Sequence, residues 1–137
     1  MTYRKAEIRP FREEDEPLLF GLASLDRGAD RRTLSVLERE TVFVAELESS
    51  PAGYVALDRA GVAICVDQLF VSPEHEAEGI GRQLLEWADG YAIAQGAAKL
   101  QVVVEAENRR ALEFYRGRGF TPVGDDLLEL QLPQTTA

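Results

Sequence analysis

The sequence predicts a mixed α+β fold in a single domain. Three observations support this: short strand-like runs occur along the whole chain, an apolar stripe at helical spacing follows residue 80, and the length suits one core. The chain has 137 residues, of which 45% are hydrophobic, enough for one ordinary domain and too few for two. We therefore expect residues 1–137 to form one domain, with about the last five residues frayed.

The N-terminal half is predicted to contain three strands and two helices. Proline ends the first strand, and four acidic residues before Pro17 suit the positive N-terminus of a helix. Polar residues and a proline between the next two strands predict a hairpin. In chain order these elements are strand Tyr3–Phe11, a helix running from Glu13 to about Leu25, helix Arg31–Arg39, strand Thr41–Leu47 and strand Gly53–Asp58.

The C-terminal half begins with the most strand-like segment of the chain. Val62–Val71 is apolar nearly throughout, which is typical of a central strand covered on both faces. From Ile80 apolar residues recur at helical spacing, and Gly96 is placed to end that helix. The remaining predicted elements are strand Leu100–Val104, helix Asn108–Arg116 and a hairpin of Phe120–Val123 and Leu127–Leu132.

The charge and cysteine counts exclude several classes of function. Fifteen basic against 24 acidic residues give a net charge of −9, which opposes nucleic acid as a partner because such binding depends on neutralising phosphates. Cys65 is alone, so no internal disulfide can form, and no segment reads as a signal peptide or a membrane span. We expect a cytoplasmic protein that binds neither nucleic acid nor membrane.

The first segment with a chemical signature is Leu69–Arg82. It reads as a buried strand, a tight loop and a helix start containing Gly79 and Gly81. The amides of a first helical turn can hold an anion, and glycines let a phosphate approach the backbone. A plain strand-to-helix turn fits the same residues. A dinucleotide fingerprint fails because its third glycine position is Leu84, and the Gly-Lys-Ser/Thr of a P-loop is missing.

A second cluster lies on the predicted helix after residue 107. Asn108, Ala111 and Tyr115 fall at i, i+3 and i+7, so they share one helix face, and roughly 10 Å of rise separates the first from the last. A long ligand could contact both ends of that face. Alternatively, Phe114 and Tyr115 are ordinary core aromatics.

Together the two clusters resemble the GCN5-related N-acetyltransferase (GNAT) superfamily, with its Gln/Arg-x-x-Gly-x-Gly/Ala loop and later Asn-x-x-Ala-x-x-Phe-Tyr helix. The glycines of the first motif are Gly79 and Gly81, and residues 62–123 carry the resemblance closely. It implies a central, mostly antiparallel, twisted sheet of about six to seven strands. Its fourth and fifth strands would form a splayed parallel pair, and about four helices would flank it. The second motif and its following Gly-Phe are filled by Asn108, Ala111, Phe114, Tyr115, Gly119 and Phe120.

The resemblance also implies a reaction: direct attack of a primary amine, on a small molecule or a protein, on acetyl-CoA, with no metal. Tyr115 would be the general acid, since a phenol pKa near 10 lies above a thiol pKa near 8.5. The loop would hold the CoA pyrophosphate and the central strand the pantetheine arm. The implied cofactor-binding residues are Leu69, Phe70, Val71, Glu76, Ala77, Glu78, Gly79, Ile80, Gly81, Arg82, Asn108, Ala111 and Phe114.

Two acidic residues depart from the family pattern. Glu76 stands where Gln or Arg is usual, and Glu78 where the family is often basic. Unit charges of like sign about 4 Å apart repel by roughly 1 kcal/mol in water and by more in a less polar site, although Arg82 would compensate in part. The alternative function is therefore a module that binds acyl-CoA or a protein partner without ordinary acetyl transfer.

Other residues carry weaker expectations. The general base is not identified, with Asp67 and Glu46 as candidates on strands; His75 is expected to face solvent and Cys65 to be a small buried residue. Trp87 is interpreted as packing or as a subunit contact in a homodimer. Four acidic residues would favour a cationic amine as acceptor: Asp26, Asp30, Asp125 and Asp126.

Overall fold

A computed structural model describes residues 4–17, 19 and 41–133. Seven strands and two α-helices lie in these residues. The strands are β1 (Glu7–Pro10), β2 (Thr41–Leu47), β3 (Ser50–Ala60), β4 (Ala63–Val71), β5 (Lys99–Val103), β6 (Thr121–Pro122) and β7 (Leu127–Gln131); the α-helices are α1 (Ile80–Ala94) and α2 (Arg109–Gly117), and 3-10 turns span Glu13–Asp15 and Pro73–His75.

The strands form one sheet in the order β1-β2-β3-β4-β5-β7-β6. β2 pairs antiparallel with β1 and β3, and β7 with β5 and β6, whereas β4 and β5 are parallel. This confirms the mixed α+β class, the seven strands and the parallel central pair. The parallel register covers four residue pairs, Ala63–Lys99 to Val66–Val102, while β4 continues to Val71.

The expected number of about four helices differs from what the described residues show, which is two α-helices. The two N-terminal helices were predicted over residues 13–25 and 31–39. The first starts as expected, with the acidic 3-10 turn Glu13–Asp15 followed by helical backbone at Glu16. The rest of that helix, all of the second, and residues 134–137 of the expected frayed end lie outside the described residues.

Two compact units make up the chain. The first comprises Met1–Leu57 and Gln68–Ala88, and the second Asp58–Asp67 and Asp89–Ala137. Each is described by its own contacts below. That residues 1–137 form a single domain stays a prediction.

The first unit contains the β2–β3 hairpin. Glu48 and Ser49, at its turn, both have positive φ (51° and 66°), the backbone that two-residue hairpin turns need to match the twist of their strands. The turn is tighter than predicted: the predicted strands left residues 48–52 between them, whereas β3 begins at Ser50. Around the hairpin lies a buried cluster of Leu19, Val42, Val44, Tyr54, Ala56 and Phe70.

An ion-pair cluster stabilises the edge of this unit. The guanidinium of Arg9 donates two hydrogen bonds of 2.7 Å to the two carboxylate oxygens of Asp15 and a third to Glu46. Asp15 is only 4% exposed and also accepts from the backbone N–H of Arg12. The bond from Arg9 holds the pKa of Asp15 below its usual value. A buried, bidentate pair of this kind attaches the acidic turn to the strands. Removing either partner would leave a buried charge without a counter-ion, which is strongly destabilising.

The second unit has its core on the covered face of β5 and β7. Leu100 and Val102 of β5 are buried and pair with Leu130 and Leu128 of β7. Alternate residues face the other way, so Val103 is 71% exposed, as the two-residue period of a strand requires. After α2, Gly119 takes a positive φ of 98°, which lets the chain turn directly into β6.

Gly53 of β3 lies directly against the backbone of β4. A Cβ atom at this position would lie closer to the carbonyl oxygen of Phe70 than real Cβ atoms approach any neighbour, and only 3.2 Å from the Cα of Val71. Both obstacles are backbone atoms of β4, so they cannot move aside as a flexible side chain would. The close approach of β3 to the end of β4 therefore requires glycine.

We predict that Gly53→Ala lowers the free energy of unfolding by about 2 kcal/mol, the usual cost of overpacking a rigid site. The measurement is urea unfolding followed by circular dichroism. Gly90→Ala is the matched control: Gly90 lies within α1 with open space around it, so the same change should stabilise by about 0.5–1 kcal/mol. Equal effects of the two substitutions would contradict the close approach.

Candidate active site

The loop between β4 and α1 leaves backbone donors exposed at the helix start. Ala77 and Gly79 have positive φ values of 66° and 85°, and the helical ladder begins where the N–H of Gln83 donates to the carbonyl of Gly79. The amides of Ile80, Gly81 and Arg82 precede that ladder, so they have no acceptor within the helix. Such a helix start is suited to binding an anion.

Gln83 holds this loop against the N-terminal segment. Its side chain is buried (8% exposed) and uses both ends of its amide: Oε1 accepts from the N–H of Ala6 at 2.9 Å, while Nε2 donates to the carbonyls of Arg4 and Gly79 at 2.7 and 3.1 Å. The N–H of Arg4 also donates to the carbonyl of Glu78 at 3.0 Å. Because each of these groups is paired, the helix start is fixed relative to residues 4–6.

The acidic residues of the loop differ in their surroundings. Glu78 is mostly buried (side chain 19% exposed); its carboxylate lies 3.2 Å from Nδ1 of His75 and 3.9 Å from the guanidinium of Arg4. Glu76 is exposed. Arg82, expected to offset these charges, instead donates to Glu86 at 3.0 Å along α1. Arg4 is therefore a positive group beside Glu78, and the ring of His75 is a hydrogen-bond partner of the same carboxylate.

His75 corrects one expectation. It was predicted to face solvent, but its side chain is only 22% exposed. Its ring lies between two carboxylates, with Nε2 3.8 Å from Glu74 and Nδ1 3.2 Å from Glu78. The reason is local: the 3-10 turn Pro73–His75 folds the chain back so that residues 75 and 78 become neighbours.

The second candidate cluster lies at the start of α2. Asn108 precedes the helix and caps it, since Oδ1 accepts from the N–H of Ala111 at 3.2 Å. The helix thus begins one residue later than predicted. The cap satisfies a donor that the helix cannot and assigns the amide oxygen of Asn108 to the backbone. The amide nitrogen of Asn108 is the atom that points away from this cap.

Tyr115 is the buried aromatic residue of this helix. It is 6% exposed, and its ring packs edge to face against Phe114 and Phe120 at centroid distances of 5.2 and 5.3 Å. Burial raises the pKa of the Tyr115 phenol above its ordinary value near 10. The hydroxyl therefore stays protonated at physiological pH, as a proton donor must before it acts.

The remaining predicted residues fall in different places. Phe70 is buried, while Leu69 and Val71 are partly exposed on β4. Of the candidate bases, Glu46 is paired with Arg9 and Asp67 is exposed. Cys65 is half-buried and its Sγ lies 3.8 Å from Oε1 of Gln101.

Trp87 packs edge to face against Phe43 at a centroid distance of 5.5 Å and is 41% exposed. Its predicted packing role is thus confirmed. The alternative, a subunit contact of Trp87 in a homodimer, stays a prediction.

Among the described residues, the first candidate cluster, Leu69–Arg82, lies in the first unit, and the second, on α2, lies in the second unit. They contain no set of three or more His, Cys, Asp or Glu placed to hold a metal ion. No helix among them combines the length and apolar character needed to cross a bilayer. The chemical groups described above at these two clusters are backbone amides, carboxylates and a phenol.

Sequence reasoning missed Arg4 and Gln83. They lie 79 positions apart, and neither belongs to a motif. Gln83 is buried in the structure, which is unusual for glutamine and requires hydrogen-bond partners. Its partners, however, are backbone groups, which any sequence supplies equally, so no residue pattern could identify them.

Comparison with known proteins identifies relatives for this arrangement. The family model described as acetyltransferase (GNAT) domain matches residues 38–122, more than half of the chain. An uncharacterised N-acetyltransferase of Methanocaldococcus jannaschii is 31% identical over 90 residues, which are 61% of this chain and 40% of that relative. The chain therefore spans less than half the length of this relative.

Solved structures agree in fold. The ribosomal-protein-S18-alanine N-acetyltransferase of Escherichia coli superposes with a TM-score of 0.81 at 20% identity, covering 97% of this chain and 96% of that one. The PaiA N-acetyltransferase of Thermoplasma acidophilum, solved in complex with coenzyme A, gives a TM-score of 0.75 at 19% identity, covering 93% and 99%. At this identity the likeness concerns the fold.

The two buried tyrosines predict a pH dependence of stability. Burial raises the pKa of Tyr54 to about 12 and that of Tyr115 also above the usual value, whereas both ionise near 10 in the unfolded chain. Below pH 10 the tyrosines are protonated in both the folded and the unfolded state, and their contribution to the free energy of unfolding is fully present. As the pH rises above about 10 the unfolded state loses protons first, so the free energy of unfolding should fall.

The measurement is tyrosinate absorbance at 295 nm, together with urea unfolding at pH 9 and pH 11. The control is the same absorbance titration in urea, where all four tyrosines should titrate together. Coincident native and unfolded titration curves would contradict the burial of these hydroxyls.

Proposed function

This chain belongs to the GNAT acetyltransferase family, and on that premise we propose that it transfers an acetyl group from acetyl-CoA to a primary amine. The observation that carries the proposal is the β4–α1 loop, whose helix-start amides precede the helical ladder and suit an anion, and which lies inside the region that matches the family. Acyl-CoA-dependent transfer is the chemistry of this family, and the reaction needs no metal.

The loop residues fit a pyrophosphate. The amides of Ile80, Gly81 and Arg82 precede the helical ladder and are the proposed donors. Ala77 and Gly79, just before them, have positive φ. The sequence makes Glu78 a repulsive charge, but the guanidinium of Arg4 lies 3.9 Å from its carboxylate, which reduces its effect on a bound anion. Glu76, Ile80 and Gly81 would complete the cofactor-binding turn.

The pantetheine arm is proposed to lie along β4, and Asn108, Ala111 and Phe114 are proposed as further cofactor-binding residues. Leu69, Phe70 and Val71 lie at the end of β4 beyond its parallel pairing with β5, so their backbone groups are proposed to pair with the amides of the arm. Asn108 would donate from its amide nitrogen, since its oxygen caps the helix. Ala111 and Phe114, on the next turn, would form the apolar side of that contact.

Acetyl transfer would proceed by direct attack. The neutral amine nitrogen forms a bond to the thioester carbonyl carbon as the carbon–sulfur bond breaks, and the nitrogen loses a proton to solvent or to a base. The electron pair of the broken bond stays on sulfur, and the Tyr115 hydroxyl would supply the proton that makes the thiol. Its raised pKa keeps Tyr115 protonated at working pH. The phenolate left after transfer is a stronger base than the thiolate, so it recovers a proton from solvent.

The acceptor is proposed to be an amine on a small molecule or a protein. Asp125 and Asp126, on the loop before β7, are exposed and favour a cationic acceptor; Asp26 and Asp30 lie outside the described residues. The second candidate function, an acyl-CoA-binding module without turnover, is favoured by one observation, the exposed carboxylate of Glu76 in the loop.

The test is thiol release from acetyl-CoA over a broad panel of amines, paired with calorimetric binding of CoA. We expect binding and turnover on at least one primary amine. Binding without turnover on any amine would overturn the transferase and favour the binding module. Absence of CoA binding would overturn both functions.

We further predict that Tyr115→Phe lowers kcat about a hundredfold, the usual contribution of a general acid, while the Kd of CoA changes less than twofold. The ring contacts with Phe114 and Phe120 survive this change, so the fold should be retained. Tyr91→Phe, on half-buried α1 surface, is the control and should leave kcat unchanged. Equal rates for the two variants would remove Tyr115 from its proposed role.

A further inference from the structure

The loop is short of positive charge in its own sequence. Glu74, Glu76 and Glu78 carry carboxylates, and the guanidinium of Arg82 is paired with Glu86. A pyrophosphate brings further negative charge to the same turn, and amide donors alone supply only partial charges. A nearby cation would therefore have a large effect on the affinity for this ligand.

The tertiary structure brings such a cation from the N-terminus. The backbone of Arg4 is fixed to the loop on both sides, since its N–H donates to the carbonyl of Glu78 at 3.0 Å and its carbonyl accepts from Gln83 at 2.7 Å. Its guanidinium lies 3.9 Å from the carboxylate of Glu78 and 2.9 Å from that of Glu48. The side chain is 34% exposed, so it is both placed at the loop and accessible.

The chemistry of Arg4 also suits a phosphate. A guanidinium has five N–H donors in a planar fork that matches phosphate oxygens, and it stays charged at any working pH. Its closer partner holds it weakly: Glu48 is 83% exposed, and exposed ion pairs contribute little. Arg4 can therefore exchange Glu48 for a stronger anion at small cost.

We propose that Arg4 is a phosphate-binding residue of the CoA site, adding positive charge beside the acidic loop, with Gln83 as the residue that positions it. This inference rests on the proposed function, because it takes CoA as the ligand. It adds to that function a binding residue that lies more than 70 positions away from the motif in the sequence.

The test compares CoA with pantetheine, which has the same arm but no phosphate, by calorimetry. Arg4→Gln should weaken CoA binding about fivefold, as expected for a partly exposed charge pair, and leave pantetheine binding unchanged. The CoA difference should shrink in 0.5 M NaCl, because salt screens exposed charges. Arg4→Lys keeps the charge and should recover most of the affinity, and Arg59→Gln, an exposed arginine at the end of β3, should have no effect.

A second variant should change the affinity for CoA in the opposite direction. Glu48→Gln removes the exposed competitor of Arg4 and should tighten CoA binding about twofold. Arg4 is overturned as a phosphate-binding residue if Arg4→Gln binds CoA like the unchanged protein, or weakens CoA and pantetheine equally. If the unchanged protein binds no CoA, the proposed function itself fails. If it binds CoA but Arg4→Gln has no selective effect, only the inference about Arg4 fails, so the two failures are distinguishable.

Discussion

The arrangement of the candidate site depends on one constraint: the first turn of an α-helix has amide hydrogens that the helix itself cannot satisfy. In this chain the constraint applies at Ile80–Arg82, directly after a strand and a turn containing two residues of positive φ. Gln83 secures the turn from behind by pairing with Gly79 and the N-terminal segment. The amides of the first helical turn are thereby held in a fixed position, without acceptors within the helix.

The acidity of the protein takes a different meaning in this setting. A net charge of −9 makes a long polyanion an unfavourable partner, yet a compact anion can be held by local dipoles at close range, where they outweigh distant charges. The same reasoning applies to Glu78. By sequence it is a like charge in an anion site, but in the fold its carboxylate lies against His75 and Arg4.

Much of the fold could be predicted because the signals were local. The β2 limits, the start of α1 and the Gly96 stop (φ 74°) follow from apolar periodicity and glycine chemistry, which act within a few residues. Errors occurred where a turn or the pairing of strands decides, because neither is evident from residue type alone. His75 was expected in solvent because nothing in the local sequence shows that a 3-10 turn folds it onto Glu78, and β3 extends to Ala60 because pairing, not propensity, sets its length.

By itself the sequence determined the order of elements, the glycines of the loop and the Asn-x-x-Ala-x-x-Phe-Tyr helix, since each depends on residue type and spacing along a few turns of chain. Only the tertiary structure decided which charges surround the loop. Arg4 and Gln83 are 79 positions apart, and the side-chain amide of Gln83 binds the backbone carbonyl of Arg4, a group that every residue possesses. A contact made by such groups leaves no trace in residue identity, so its partner emerges only when the chain is folded.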